Sequence, residues 1–179
     1  MTADQPAESP ADAWGEPRRR EITWHDPLES QAAARDLSGI EYLTAMLERR
    51  IPGPPIAQTL GFTLDRVEPG EAWFSCAPHE SHYNPIGMVH GGLVCTLLDS
   101  ALGCAGHTLL PAGVGYTSVE IKVSYLRPVS PAGGTLLAHG WVTKPGRRVL
   151  FLEGDVRDAS DKVVATASGT CLVMGGPEA

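Results

Sequence analysis

The chain has 179 residues, 42% of them hydrophobic and 20% charged, with a formal net charge of −7. That length fits one domain with an added tail and allows a sizeable single core. Acids outnumber bases ten to six over residues 1–50 and eleven to eight over 51–179, so the broad basic footprint that non-specific nucleic-acid binding needs is missing.

Cys76, Cys95, Cys104 and Cys171 form no CxxC pair and no short Cys/His ligand spacing, which predicts buried free thiols in a reducing compartment. No uninterrupted apolar stretch reaches the length of a membrane span. The first residues are acidic and Pro-rich, unlike a signal peptide, so the expected location is cytoplasmic.

Residues 1–26, with Pro6, Pro10 and Pro17, read as a disordered or loosely attached tail. Residues 27–55 read as a helical arm and Pro-rich connector. Pro27 opens a first helix through the alanine run, which stops near Gly39. Ser38 and Glu41 form an S-x-x-E capping box for a second helix with Ile40, Leu43, Met46 and Leu47 as its apolar stripe. "IPGPP" at 51–55 ends any helix and acts as a stiff connector.

Residues 56–175 read as strand, strand, helix and four more strands. Two β runs flank Pro69-Gly70. "GGLVCTLLDSALGCAGHTLL" is the one long apolar helix, ending before Pro111, with Leu93, Val94, Leu97, Leu98, Ala101 and Leu102 spread nearly all round it, so Asp99 within it reads as buried. "YTSVEIKVSYLRPV" alternates, with Val119, Ile121 and Val123 on one face. Turn signals at Pro145-Gly146 and "DASD" separate the last strands. The expected class is α+β: one long central helix wrapped by a curved, mainly antiparallel sheet of five to six strands.

The run "HYNPIGMVHGGLVCTLLDSA" places Asn84, Pro85, Gly87, His90, Gly91, Gly92 and Asp99 in an N-P-x-G-x-x-H-G-G-x6-D pattern. It resembles the PaaI-like branch of the hotdog-fold acyl-CoA thioesterases, the superfamily of phenylacetyl-CoA and 4-hydroxybenzoyl-CoA thioesterases. "PIAQTLGF", "SVEIKVSYLRPV" and "PGRRV" extend the likeness over roughly residues 38–174. The resemblance implies hydrolysis of an acyl-CoA thioester, with coenzyme A as part of the substrate and no further cofactor. It implies a homodimer, assembled further as a dimer of dimers; the acidic balance and the lack of a membrane-length apolar stretch lead to an expectation of no nucleic-acid or membrane partner.

In that family's terms Gly91 supplies the carbonyl-binding N–H at a helix N-terminus, where backbone donors lack partners and the macrodipole is positive. Asp99 is the carboxylate, as nucleophile or general base. Asn84 orients water or holds the carboxylate. His90 bonds the loop backbone or helps polarise the thioester. Ser118, or Thr117 beside it, holds the water. Arg127, Lys144, Arg147 and Arg148 fall in loops that flank the nucleotide and its phosphates.

Eight residues of helix span about 12 Å, too far for Gly91 and Asp99 of one chain to act on one carbonyl. A two-fold dimer that brings each Asp99 to the other chain's Gly91 removes the difficulty.

Blander readings accompany these. Asp99 could be satisfied by Thr96 or Ser100, Arg147 and Arg148 could be a solvated turn, and Cys95 and Cys104 read as packing rather than nucleophiles. His79, His82 and His90 lack the partners a metal site needs. A non-catalytic acyl-CoA carrier or regulator on the same fold, and a hotdog dehydratase or hydratase, are the competing functions.

Overall fold

The computed structural model describes residues 14–130 and 132–175. Helices α1 (Pro27–Ala34), α2 (Gly39–Leu47) and α3 (Pro55–Leu60) precede strands β1 (Phe62–Glu68) and β2 (Glu71–Cys76). Helix α4 (Gly91–His107) follows, then β3 (Gly115–Tyr125), β4 (Leu136–Lys144), β5 (Val149–Arg157) and β6 (Val163–Met174). The strands form one six-stranded sheet in the order β1-β2-β4-β5-β6-β3, antiparallel throughout. The expected order of six strands around one long helix and the α+β class are therefore met.

The arm is built from caps. The Asp26 carboxylate accepts from the Leu28 N–H at 2.8 Å ahead of Pro27. One Glu41 oxygen accepts from the Ser38 N–H at 2.8 Å and from its hydroxyl at 2.6 Å. The inward residues of α2 are Leu43 and Ala45, while Met46 is half-buried and Leu47 exposed, so the expected stripe is only partly the packing face. Helix α3 was not expected. Pro55 takes its first turn, where the missing N–H costs nothing, and Gly61 ends it at φ 65°.

Helix α4 crosses the inner face of the sheet with Leu93, Val94, Leu97, Leu98, Ala101 and Leu102 buried. Gly140 and Gly154 stand opposite each other on β4 and β5, with Gly169 on β6. A Cβ at Gly140 would lie 2.7 Å from the Leu102 backbone nitrogen, and one at Gly154 would lie 2.6 Å from Leu102 Cδ1. These glycines let the helix sit close on the sheet. The arm closes the far end of α4: the Gly39 N–H donates to the Leu110 carbonyl at 2.9 Å.

Two sequence expectations change. Helix α4 is not apolar all round; Gly92 and Asp99 are exposed, and Cys95 and Thr96 are only half-buried. The simple alternation of β3 is broken by a β-bulge between Ser118 and Glu120, which leaves Val119 65% exposed. Ser118 therefore shares the face of Ile121 and Val123.

The first thirteen residues of the expected tail lie outside the described residues. The stretch leading to Asp26 runs along the domain, where Arg18 pairs with Glu80 and Arg20 Nη1 lies 3.4 Å from His82 Nε2.

Candidate active site

The loop before α4 is a set of backbone bonds organised by Asn84. Its side-chain oxygen accepts from the N–H groups of Ile86 at 3.1 Å and Met88 at 3.0 Å. The Asn84 N–H donates to the Met88 carbonyl at 2.8 Å, and Gly87 turns at φ 79°. The oxygen expected to orient water or carboxylate is thus spent on the turn within the chain. The His90 N–H donates to the His82 carbonyl at 2.8 Å, which fixes where α4 begins.

His90 is the N-cap of α4. Its Nδ1 accepts from the Gly92 N–H at 2.8 Å. That bond consumes one donor of the helix start and leaves the Gly91 N–H, which has no acceptor among the described residues. Tyr125 covers this corner: its hydroxyl donates to the Gly91 carbonyl at 3.0 Å. A Cβ on Gly91 would come 3.1 Å from the Tyr125 ring, so glycine keeps the approach open.

Asp99 lies two turns along α4 on its open face, exposed in the single chain rather than buried as the sequence suggested. Its partner is Ser118, whose hydroxyl donates to Oδ1 at 2.9 Å. The neighbours that could have satisfied it do not: the Thr96 hydroxyl donates to the Gly92 carbonyl at 2.9 Å. Ser118, not Thr117, reaches the carboxylate, because the bulge turns Ser118 toward the helix.

None of the thiols is an activated nucleophile. Burial pushes Cys104 up to about 12, and burial first, then the nearby Asp99 charge, raises Cys95. Burial chiefly, helped by Arg20 and His79, holds His82 below its ordinary value of 6.5. Its Nδ1 accepts from the His79 N–H at 3.0 Å, and His79 Nδ1 lies 3.0 Å from the Ser81 hydroxyl. Both imidazoles are used to shape the turn that precedes the loop.

The four basic residues expected around a nucleotide separate into two groups. Lys144, Arg147 and Arg148 share the exposed β4–β5 hairpin, where Val149 stands opposite Leu172. Arg127 follows the other end of β3, its N–H donating to Val164. The ladder from Gly115–Met174 to Tyr125–Ala165 separates the two ends by roughly 33 Å at ~3.3 Å per residue. Within one chain they do not meet.

Sequence reasoning missed Tyr125 altogether. Its signal was a tyrosine at the exposed end of an edge strand, which had no evident link to the glycines of α4.

Residues 86–165 match the model of the thioesterase superfamily. A Halobacterium salinarum protein that bears an esterase name is 31% identical, over 73% of this chain and 91% of its own length. Human acyl-coenzyme A thioesterase 13 is 30% identical, over 60% of this chain and 76% of its own. Among solved structures, a phenylacetic acid degradation-related protein of Ralstonia eutropha superposes with a TM-score of 0.67 at 28% identity, covering 73% of this chain and 98% of that one.

Proposed function

Because the chain belongs to the hotdog-fold thioesterase superfamily, whose chemistry is thioester hydrolysis, we propose that it converts acyl-CoA to a free acid and coenzyme A in sites shared by two subunits. One observation carries the shared site. Ser118 holds Asp99 near one end of β3, and Tyr125 holds Gly91 at the other. β3 is an edge strand whose N–H and C=O groups are open to pairing. Antiparallel pairing of two β3 strands sets the Asp99 end of one against the Gly91 end of the other. Val119, Tyr125, Leu126 and Ile86 are each more than half exposed along that edge and loop, which suits burial against a second copy.

The chemistry then divides between chains. The thioester oxygen docks on the Gly91 N–H of one subunit, where the positive helix end favours the oxyanion of the tetrahedral intermediate. The partner's Asp99 accepts a proton from water as the water oxygen bonds the carbonyl carbon. Ser118 occupies Oδ1, leaving the other carboxylate oxygen for that proton. The intermediate collapses with cleavage of the C–S bond, and the proton passes to the departing thiolate.

The same two-fold arrangement brings Arg127 toward the partner's β4–β5 hairpin, joining the separated basic groups into one anion-binding rim for the coenzyme A phosphates. The Asn84 amide nitrogen, at the Gly91 end, then faces the partner's Asp99. A panel of aromatic and aliphatic acyl-CoA esters assayed by thiol release tests the reading. Turnover of at least one ester is expected; tight binding of one without turnover of any contradicts it.

A further inference from the structure

Asp99, Gly103 and His107 recur every four residues, so they line one face of α4 across two turns. The helix-facing residues of β3 run beside them. Ser118 reaches Asp99, and one step back Tyr116 lies on Gly103, where a Cβ would stand 2.7 Å from the Tyr116 hydroxyl oxygen. The Tyr116 ring is 5.3 Å from the His107 ring, which is 5.7 Å from Tyr42.

Behind this row opens a pocket of about 430 Å³ whose lining mixes Leu28, Ala34, Leu37 and Val114 with Gln31, Arg35 and His107. That is the size of a small-molecule compartment. Most of its wall comes from residues 28–42, that is α1, the link after it and Tyr42 of α2, ahead of the segment that matches the family model. Burial holds His107 below its ordinary value, which favours its neutral ring, so the charge on this wall comes from Arg35.

Tyr116 stands between the carboxylate and this cavity. Along the helix Gly103 is about 6 Å and His107 about 12 Å from Asp99. A short or single-ring acyl group ends at Tyr116, whereas a longer chain must displace it.

We propose that the cavity beneath the helical arm receives the far end of a long apolar acyl chain, and that Tyr116 is the specificity-determining wall it must pass. The inference rests on the acyl-thioester reading above. It assigns the arm the role of closing the deep end of the substrate compartment.

The test uses the full chain and two variants away from Asp99, Ser118 and Gly91. Tyr116→Leu lowers the wall, and Ala34→Trp fills the space behind it. Tyr116→Phe keeps the ring and serves as the control for loss of the hydroxyl. Kd values for butanoate and dodecanoate are measured by calorimetry, and kcat/KM for the matching acyl-CoA esters by thiol release.

The preference for the longer acid and ester is expected to rise roughly tenfold in Tyr116→Leu and fall roughly tenfold in Ala34→Trp. Tyr116→Phe should keep the wild-type preference. If Tyr116→Leu does not fold, Ala34→Trp alone decides. An unchanged preference in Ala34→Trp overturns the proposal. Acid binding needs no coenzyme A, so the two readings separate. A shifted acid preference without hydrolysis of any ester supports the compartment and rejects the enzyme; hydrolysis with an unshifted preference does the reverse.

Discussion

Ser118 and Tyr125 are seven residues apart on β3, yet both side chains bond helix α4, one at Asp99 and the other at Gly91. Side chains an odd number of residues apart on a regular strand face opposite ways. The bulge at Val119 absorbs one residue and restores both to the helix side. Deleting Val119 should remove the bulge, leave the two residues six apart and so keep both side chains on the helix side of a regular strand. The expected result is a dimer in which Ser118 still holds Asp99, with kcat well above that of Ser118→Ala. A kcat as low as that of Ser118→Ala in a folded deletion variant would contradict this register account.

Asp99 and Ser118 should differ in weight. Asp99→Asn removes the proton acceptor and is expected to lower kcat by roughly 10²–10⁴-fold with the fold intact. Ser118→Ala only frees the carboxylate to turn, so a loss of about tenfold is expected. Steady-state kinetics with circular dichroism as the folding check decides. A near wild-type kcat for Asp99→Asn removes the carboxylate from the mechanism.

Gly140 tests the packing that carries α4. A methyl group there would push into the Ala101–Leu102 backbone, which cannot swing aside as a side chain can. Gly140→Ala is expected to lose about 1–3 kcal/mol in denaturant unfolding. The opposite face of β4 offers a contrast at Leu137, which is 51% exposed. Leu137→Ala should cost well under 1 kcal/mol. Equal losses at the two positions would mean that the helix does not rest on Gly140.

Acid should destabilise the fold through two histidines. Burial holds both His82 and His107 below 6.5 in the folded chain. Between that folded value and 6.5 the unfolded chain binds more protons, so stability falls as pH drops through this window. Below the folded value both states are protonated and the loss is complete. The melting temperature is expected to fall on acidification from about pH 7. His107→Leu should flatten the slope by removing one contributor. An identical pH profile for that variant would exclude His107.

How much of this could be read in the sequence follows the range of each signal. The long helix, the strand order and the α+β class were legible because apolar periodicity and turn residues are local. The capping box at Ser38 and Glu41 was local as well. Helix α3 escapes the sequence because Pro54 and Pro55 read as a stop, though proline also opens helices. Asp99 was expected to be buried because its neighbours along α4 are apolar; only the sheet shows which face stays open. The glycine seat at Gly140, Gly154 and Gly169 depends on three strands meeting in register, and the bulge at Val119 on where β3 pairs with β6. Neither leaves a mark on a single stretch of sequence.

The most direct measurement mixes two inactive variants. Gly91→Pro lacks the N–H that would bind the oxyanion, and Asp99→Asn lacks the proton acceptor. Each homodimer should be dead, once circular dichroism shows that both variants fold. In a heterodimer one site carries both lesions and the other carries neither. After subunit exchange at equal amounts about half of the dimers are mixed, so roughly a quarter of wild-type activity should return. A mixture that exchanges subunits, as seen by native mass spectrometry, and stays inactive would contradict the shared site.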